Sequence, residues 1–456
     1  MVYNMKNKLT SFCILSLMGA FTLHAQQNMS LKECMEYALK YSTKKEIQLN
    51  HQENLLLQRR DAILQAFTPS VSAGTNAFTN FGRTIDPETN SYISTTSFSN
   101  GYFVSAGLSL FDGFSAINRI KIAKVAVRMG LSESQQLDDE ICLSVMQAYY
   151  NVIFQNQMSE VISEQIATAR KNMELITKQY ELGQKGYADV AQVEADLAER
   201  ESQWVDCNNK KESSLLDLKA IMLWPMQDSL VLEVESHLLP ALSLSETSSE
   251  TLNEVVAYAQ QYQSTALLAQ GRVEQAEYAL RNAKGQFLPS LSLQGGWSTS
   301  IYTYPGRKDY QAPSFSSQFH NNGGEYVQLS LSIPIYDRLS RQSQLRRKRN
   351  ELENARIGYR QTLKDIENEV ARAVHEREGA RSAVLLADRR LKAQEESYRL
   401  HVRKFEQGLI SPVEYQTVAN AWLHARAEWL DARLQYRLKS SVVNFYNGQS
   451  YLEQQY

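Results

Sequence analysis

The sequence predicts a mainly α protein with membrane β-strands, assembled from a strand–helix unit that occurs twice. Three observations predict it. Four stations recur in the same order at displacements of 220 to 225 residues, two-residue alternation is confined to four short segments, and Pro and Gly are scarce in the long stretches between them.

The duplication organises everything else. Leu31-Lys32-Glu33 to Ala38 matches Leu252-Asn253-Glu254 to Ala259 at a displacement of 221, and Phe67-Thr68-Pro69-Ser70 matches Phe287-Leu288-Pro289-Ser290 at 220. Leu110-Phe111-Asp112 matches Ile335-Tyr336-Asp337, and Tyr180-Glu181-Leu182-Gly183 matches Phe405-Glu406-Gln407-Gly408, both at 225. The small drifts mark insertions in loops. The predicted organisation is a signal peptide over 1–25, a first repeat over 26–235 and a second over 236–456. Lys6 and Lys8, the apolar run Leu9 to Leu23 and the Leu23-His24-Ala25 ending give the layout of a secretory leader, cut after Ala25. The run is too short for a retained membrane anchor, and Cys13 lacks the surroundings of a lipid-attachment site.

Each repeat opens with a helical segment rich in Leu, Gln, Glu and Lys, Leu31 to Ala66 and Leu252 to Gln286. The period then changes at Pro69 and Pro289. Strands are predicted over 70–79, 101–111, 290–302 and 325–336. Val327, Leu329, Leu331, Ile333 and Ile335 alternate with Gln328, Ser330 and Ser332, and Tyr102, Val104, Ala106, Leu108 and Leu110 alternate with Phe103, Ser105, Gly107 and Ser109. Such strands suit a tilted bilayer crossing of ~9–11 residues, or equally a sandwich with one buried face. Polar loops at 80–100 and 303–324 exceed the usual ~12–15 residues. Four strands cannot close a barrel, which takes ~8 or more, and lipid forbids open edges. If these strands span a membrane, several chains share one barrel.

From Ser115 to Leu182 there is no Pro and only Gly130, so a helix over 115–182 is predicted, with its copy over 339–407. At 1.5 Å per residue such a helix is ~100 Å long and must lie against others. Ile141, Val145, Ala148 and Val152 recur at spacings of four, three and four, a narrow coiled-coil seam, followed less regularly by Val370, Ala373 and Arg377. Asp112 and Asp337 stand where strand becomes helix and are predicted N-caps. Gly183 and Gly408 suit the left-handed C-cap position. Return helices follow over 190–223 and 415–446, the second entered through the capping box Ser411-Pro412-Val413-Glu414.

These features in this order resemble the TolC family of outer-membrane efflux proteins. The residues that carry the resemblance are the junctions Phe111-Asp112-Gly113 and Tyr336-Asp337 and the turns Tyr180 to Asp189 and Phe405 to Glu414. The resemblance implies a homotrimer whose three chains share a transmembrane β-barrel of twelve strands, joined to a long α-helical coiled-coil barrel. It implies the exit duct of a tripartite efflux or type I secretion system in the outer membrane of a Gram-negative bacterium, projecting into the periplasm. Its partners would be a periplasmic adaptor (membrane fusion) protein, an inner-membrane pump of RND or ABC type, and outer-membrane lipid. Carried over position by position, Tyr180, Lys185 and Asp189 fall on a closing network at the periplasmic tip, with Phe405 and Glu414 as their counterparts. Gly183, Gly186, Gly408, Leu409 and Ser411 fall in the tip turns where an adaptor would bind. The second turn departs from the pattern: Phe405 lacks a hydroxyl, and Ile410 stands where a basic group is expected. Asp189 therefore also has a simpler reading, as a charge at a helix start.

Other functions are weighed against the same residues. The formal net charge is -2, so no basic surface offers itself to nucleic acid. Seven scattered His, no G-x-S-x-G and no phosphate loop leave an enzyme without chemistry, and no cofactor or metal is expected. Cys34, Cys142 and Cys207 lack metal or disulfide spacing. The rival is a periplasmic coiled-coil adaptor without a pore, which accounts for the helices but not for four strands of bilayer length; a simple porin accounts for the reverse.

Overall fold

A computed structural model describes residues 28–86, 89–233, 251–305, 307 and 310–454. The expected leader lies outside the described residues. In chain order the first repeat comprises α1 (Leu31–Tyr41), α2 (Thr43–Phe67), β1 (Ser70–Asn80), β2 (Arg83–Ile85), β3 (Tyr92–Ser94), β4 (Ser97–Asp112), α3 (Ser115–Glu181) and α4 (Tyr187–Met222). The second comprises α5 (Leu252–Tyr262), α6 (Ser264–Gly285), β5 (Ser290–Thr303), α7 (Phe315–Asn321), β6 (Gly324–Ser332), α8 (Ser340–Glu406) and α9 (Pro412–Tyr446). Among the described residues no helix is long and apolar enough to cross a membrane.

Two compact units cut across the repeats. Of the described residues, those within 1–45, 137–259 and 367–456 form one and those within 46–136 and 260–366 the other. The opening helices depart from expectation. The single opening helix of each repeat is broken, at Ser42 (ψ 118) and at its counterpart Gln263 (ψ 139), both extended. Neither break carries Pro or Gly; at the first, the Ser42 hydroxyl accepts from the Lys45 N–H at 3.4 Å and restarts the helix. The return helices also start earlier than expected, at Tyr187 and Pro412.

In the first unit, α1 lays Leu31, Cys34, Met35 and Ala38 against Leu218 and Met222 of α4. Full burial of each larger side chain contributes about 1.5–3 kcal/mol. Val145, Met146 and Tyr149 of α3 and Trp429, Leu430 and Leu434 of α9 complete this core, so of the expected seam Ile141, Val145 and Val152 are buried and Ala148 is half-buried.

The second unit contains one antiparallel sheet in the order β1-β4-β5-β6. Ser70 pairs with Gly107 and Ser290 with Ser332. The first hairpin thus becomes the second by the same displacements, 220 and 225, that the sequence shows. Register fixes two faces, because directly opposed side chains share a side. Tyr102, Val104, Ala106 and Leu108 stand with Thr299, Trp297, Gly295 and Leu293, and these with Val327, Leu329 and Leu331. That face is oily; Val104, Val327, Leu329 and Leu331 on it are exposed, Val327 at 83 %, whereas Thr299 is buried and donates to the Phe319 carbonyl. Ser105, Gly107, Ser109, Ser292, Gln294, Ser298, Gln328 and Ser330 make the opposite, wet face.

Three strand details differ from expectation. β4 begins at Ser97 rather than 101, because β1 and β5 both extend far enough to pair with it. It carries a bulge between Ser109 and Phe111 that leaves Leu110 unpaired. β6 stops at Ser332 rather than 336, before Pro334, which has no N–H to give a ladder. The long loops also hold structure: β2 and β3 form a hairpin in the first, and α7 packs Phe319 against Tyr102 and Trp297 in the second.

The junction aspartates stand three residues before the helices, at Ser115 and Ser340, rather than at the flanking position, and their carboxylates reach the first turn. Ala116 N–H donates to both carboxylate oxygens of Asp112 (3.1 and 2.9 Å), and Arg341 donates to Asp337 Oδ2 through its backbone N–H (2.9 Å) and Nε (2.8 Å). The hydrogen bond from the Arg341 side chain holds the Asp337 carboxyl below its ordinary range. Two glycines meet beside the first cap. Gly113 (φ +67) and Gly285 press backbone on backbone, so closely that a Cβ on Gly285 would lie 3.1 Å from the Gly113 carbonyl carbon and nearer still to its oxygen.

Candidate functional site: the helical turns

The two turns lie in one compact unit and are built alike. α3 ends where the Gln184 N–H donates to the Gln179 carbonyl (2.8 Å) and the Gly183 N–H to that of Tyr180 (2.9 Å). α8 repeats this with Leu409 to Lys404 (2.9 Å) and Gly408 to Phe405 (2.9 Å). The glycines supply the left-handed residue this terminator needs, φ +72 at Gly183 and +73 at Gly408. The helix starts differ. Asp189 Oδ2 accepts from the Gly186 N–H at 3.2 Å, whereas the Ser411 hydroxyl accepts from the Glu414 N–H at 3.2 Å and Pro412 occupies the first turn.

The expected tip residues do not converge on one network. Tyr180 is exposed and meets Tyr187 edge-on, ring centroids 6.2 Å apart. Lys185 is half-buried, and among the described residues of the chain no ion pair or hydrogen bond links it to Tyr180 or Asp189. Asp189 sits as a helix-start charge. Glu414, Gly186, Leu409 and Ser411 are exposed, and Ile410 packs against the apolar cluster below. Phe405 is 2 % exposed and stacks on Tyr415 with centroids 4.7 Å apart. It belongs to a cluster that takes Ile176 from α3, Val193 from α4 and Tyr415 and Ala419 from α9, so all four long helices meet there. Asp112 and Asp337 belong to the other compact unit.

A polar lattice surrounds that cluster and joins the two helix pairs. Tyr398 Oη lies 3.2 Å from Tyr415 Oη and accepts from Gln165 Nε2 at 3.3 Å. Gln192 Nε2 donates to Gln416 Oε1 (3.2 Å), and Gln416 Nε2 donates to Glu199 Oε2 (3.0 Å). Beneath them Arg200, 1 % exposed, faces Asp196 at 3.3 Å and donates to Gln203 Oε1 at 3.3 Å. Burial pushes the Asp196 carboxyl up, against the pull of Arg200, and burial with the neighbouring Tyr398 holds the Tyr415 phenol protonated. The sequence reading missed these residues. A signal existed: Val193, Asp196, Arg200 and Cys207 are all buried, at the three, four and seven spacing of a seam that runs through polar side chains.

Taken together, a four-stranded sheet oily on one side and two hairpins of long helices closed by matching turns define a class of duplicated strand-and-helical-hairpin proteins. The sequence pattern of the outer membrane efflux protein family matches residues 48–222 and 263–444, and the chain belongs to that family. Outer membrane protein TolC of Escherichia coli (strain K12) is 21 % identical over 311 residues, 67 % of this chain and 62 % of that protein. The chain thus spans about three-fifths of the length of that relative. By fold it is similar to VceC of Vibrio cholerae, with a TM-score of 0.73 and 14 % identity over 93 % of this chain and 96 % of that one. It is similar also to the outer membrane channel CmeC of Campylobacter jejuni, TM-score 0.71 and 16 % identity, over 93 % and 85 %.

Proposed function

We propose that the chain is the exit duct of a tripartite efflux or type I secretion system, a passive conduit that three copies build in the outer membrane. The observation that carries this reading is the sheet, with its oily face exposed at Val104, Val327, Leu329 and Leu331 and β1 and β6 left at its edges. Water cannot cover that face cheaply and lipid cannot tolerate those edges, so a barrel shared between chains, oily side out, satisfies both. The wet face then lines the lumen.

The duplication supplies a register for the shared seam. Within the chain Val104 pairs with Trp297 and Ala106 with Gly295. Carried forward by 225 and back by 220, these pairs become Leu329 with Ala77 and Leu331 with Thr75 of the next copy. Tested by Leu329→Cys with Ala77→Cys, oxidation should give a covalent trimer; if Leu329→Cys with Thr79→Cys links as well or better, the register is wrong. Conductance of the purified protein in a planar bilayer tests the duct itself, and a protein that inserts without any conducting state would refute it.

The remaining assignments rest on the resemblance. Export would remove the leader after Ala25 without lipid attachment, leaving the helices projecting into the periplasm. The turns with Gly183, Gly186, Gly408, Leu409 and Ser411 would receive an adaptor protein bound to an RND or ABC pump; exposed Leu182, Tyr187, Leu409 and Val413 offer apolar contact there. Tyr180, Lys185, Asp189 and Glu414 would close the tip through contacts between copies. Pairwise Lys185→Ala with Asp189→Ala should raise the resting conductance, and an unchanged closed state would remove them from the gate.

A further inference from the structure

The wet face carries aromatic side chains that its hydroxyl pattern does not account for. Phe103 pairs directly with Gly74 on β1 and with Ser298 on β5, which sets its ring on the hydroxyl-bearing side. A Cβ built on Gly74 would stand 2.7 Å from Phe103 Cζ and 3.0 Å from Cε1, so the ring tip lies over bare backbone. Tyr326 lies over its own direct partner, Gly296, with Cε1 and Oη each 3.1 Å from the position of a Cβ. Asn76 leans over its partner Gly101 in the same way. Three large-on-glycine pairs thus fall on one face at neighbouring levels of the sheet.

We infer that Gly74 and Gly296 set the bore of the duct: they are seats that hold Phe103 and Tyr326 flat against the wall, and so fix the largest solute that passes this level. The inference rests on the proposed lumen along the wet face. Barrels of ~8 strands are filled by their side chains and those of ~16 to 18 leave an open channel. Twelve strands lie between, where the pose of a ring decides what fits. A side chain at position 74 moves the ring rather than the backbone, because the atoms it meets are the far end of Phe103. Phe103 is exposed, so a ring displaced from that seat can swing away from the sheet, into the lumen. Gly296 is less separable, since its Cβ would also meet the Val104 carbonyl oxygen, so Gly74 is the position to test.

The test needs a reporter deeper in the lumen and independent of the tip. Ser292 is on the wet face, six positions along β5 from Ser298 toward the helices, ~20 Å at the rise of a strand. Cys13 leaves with the proposed leader and Cys34, Cys142 and Cys207 are all buried, so a mature Ser292→Cys chain carries one reactive thiol. Intact cells are treated from outside with a small methanethiosulfonate and with the same group on a large polyethylene glycol. Gly74→Val should slow the bulky reagent on the order of tenfold, the response of a pore whose width nears that of the solute, and leave the small one unchanged. Adding Phe103→Ala should restore the bulky reagent. Gly74→Ala, a gentler displacement of the same ring, keeps the test usable if the Val variant assembles poorly. Equal labelling of wild type and both Gly74 variants would overturn the inference, as would a loss that Phe103→Ala fails to reverse. If the small reagent does not reach Ser292→Cys in the wild type, the lumen reading itself fails, which is a different result.

Discussion

Phe405 is the residue through which the proposed closing of the tip is best tested, because its burial converts into a number. Its ring is 2 % exposed and stacked on Tyr415, and it touches a cluster supplied by both helix pairs, Ile176 and Val193 on one side and Tyr415 and Ala419 on the other. Phe405→Ala removes a buried ring, about 3–5 kcal/mol including the cavity left behind. If opening parts the two helix pairs, only the closed state contains the intact cluster, and the whole loss falls on the closed state. A shift of about 4 kcal/mol changes the open-to-closed ratio by roughly a thousandfold, since each 1.4 kcal/mol is tenfold. Single-channel recording of the purified protein should therefore show a large rise in resting open probability, and limited proteolysis should cut sooner near residues 182–186. Phe405→Leu, which loses far less volume, should stay largely closed. A Phe405→Ala protein with a lowered Tm but unchanged resting conductance would refute the reasoning, because the cluster would then be equally intact in both states.

Other expected outcomes follow from single contacts. Gly285→Ala forces a methyl into the Gly113 backbone and should cost about 1–3 kcal/mol, read as a lower Tm, whereas Gly358→Ala in α8, with open space around it, should gain about 0.5–1 kcal/mol. Asp196→Ala strands the buried Arg200 guanidinium and should cost about 3–5 kcal/mol; Asp196→Leu with Arg200→Met should recover most of it, and a single variant as stable as wild type would show the pair to be hydrated. Burial pushes the thiols of Cys34 and Cys142 up to about 12, so at pH 8 both stay protonated and should resist alkylation until the protein is unfolded; rapid labelling of the native protein would contradict their burial.

Fold was legible where a periodic pattern runs long, and obscure where one residue turns the chain. The alternation in β4 and β6 and the breaker-free runs of α3 and α8 were visible because each is set by solvent on one side and packing on the other. The breaks at Ser42 and Gln263 were not, since neither carries Pro or Gly and both fall near a boundary that only tertiary packing creates. Of the tip, the terminating glycines and the Ser411 cap could be read because local backbone geometry demands them. Phe405 could be found but not placed: the sequence matched it to Tyr180, while the structure buries Phe405 and leaves Tyr180 exposed. Arg200 and Asp196 escaped because charged side chains hide a seam from any search for apolar spacing.

The duplication also carries a difference that follows from sterics. Inside the chain, the junction after β4 meets the end of α6 through Gly113 and Gly285, with no side chain between them. Moved by the repeat displacements, the corresponding joint between copies in the proposed ring would set Arg338 against Gln65. Arg338 keeps the left-handed backbone of its glycine counterpart, φ 59 against φ +67, so the turn is conserved in shape although its residue is less suited to it. Two long side chains cannot approach as two glycines do. The joint inside each chain must then be tight and the joint between chains wider, so a ring of six repeats has threefold rather than sixfold symmetry where strands become helices. Six equal spacings in an electron-microscopy map of the assembly would contradict this. A wider joint between copies would place whatever movement the proposed ring allows at the chain boundaries.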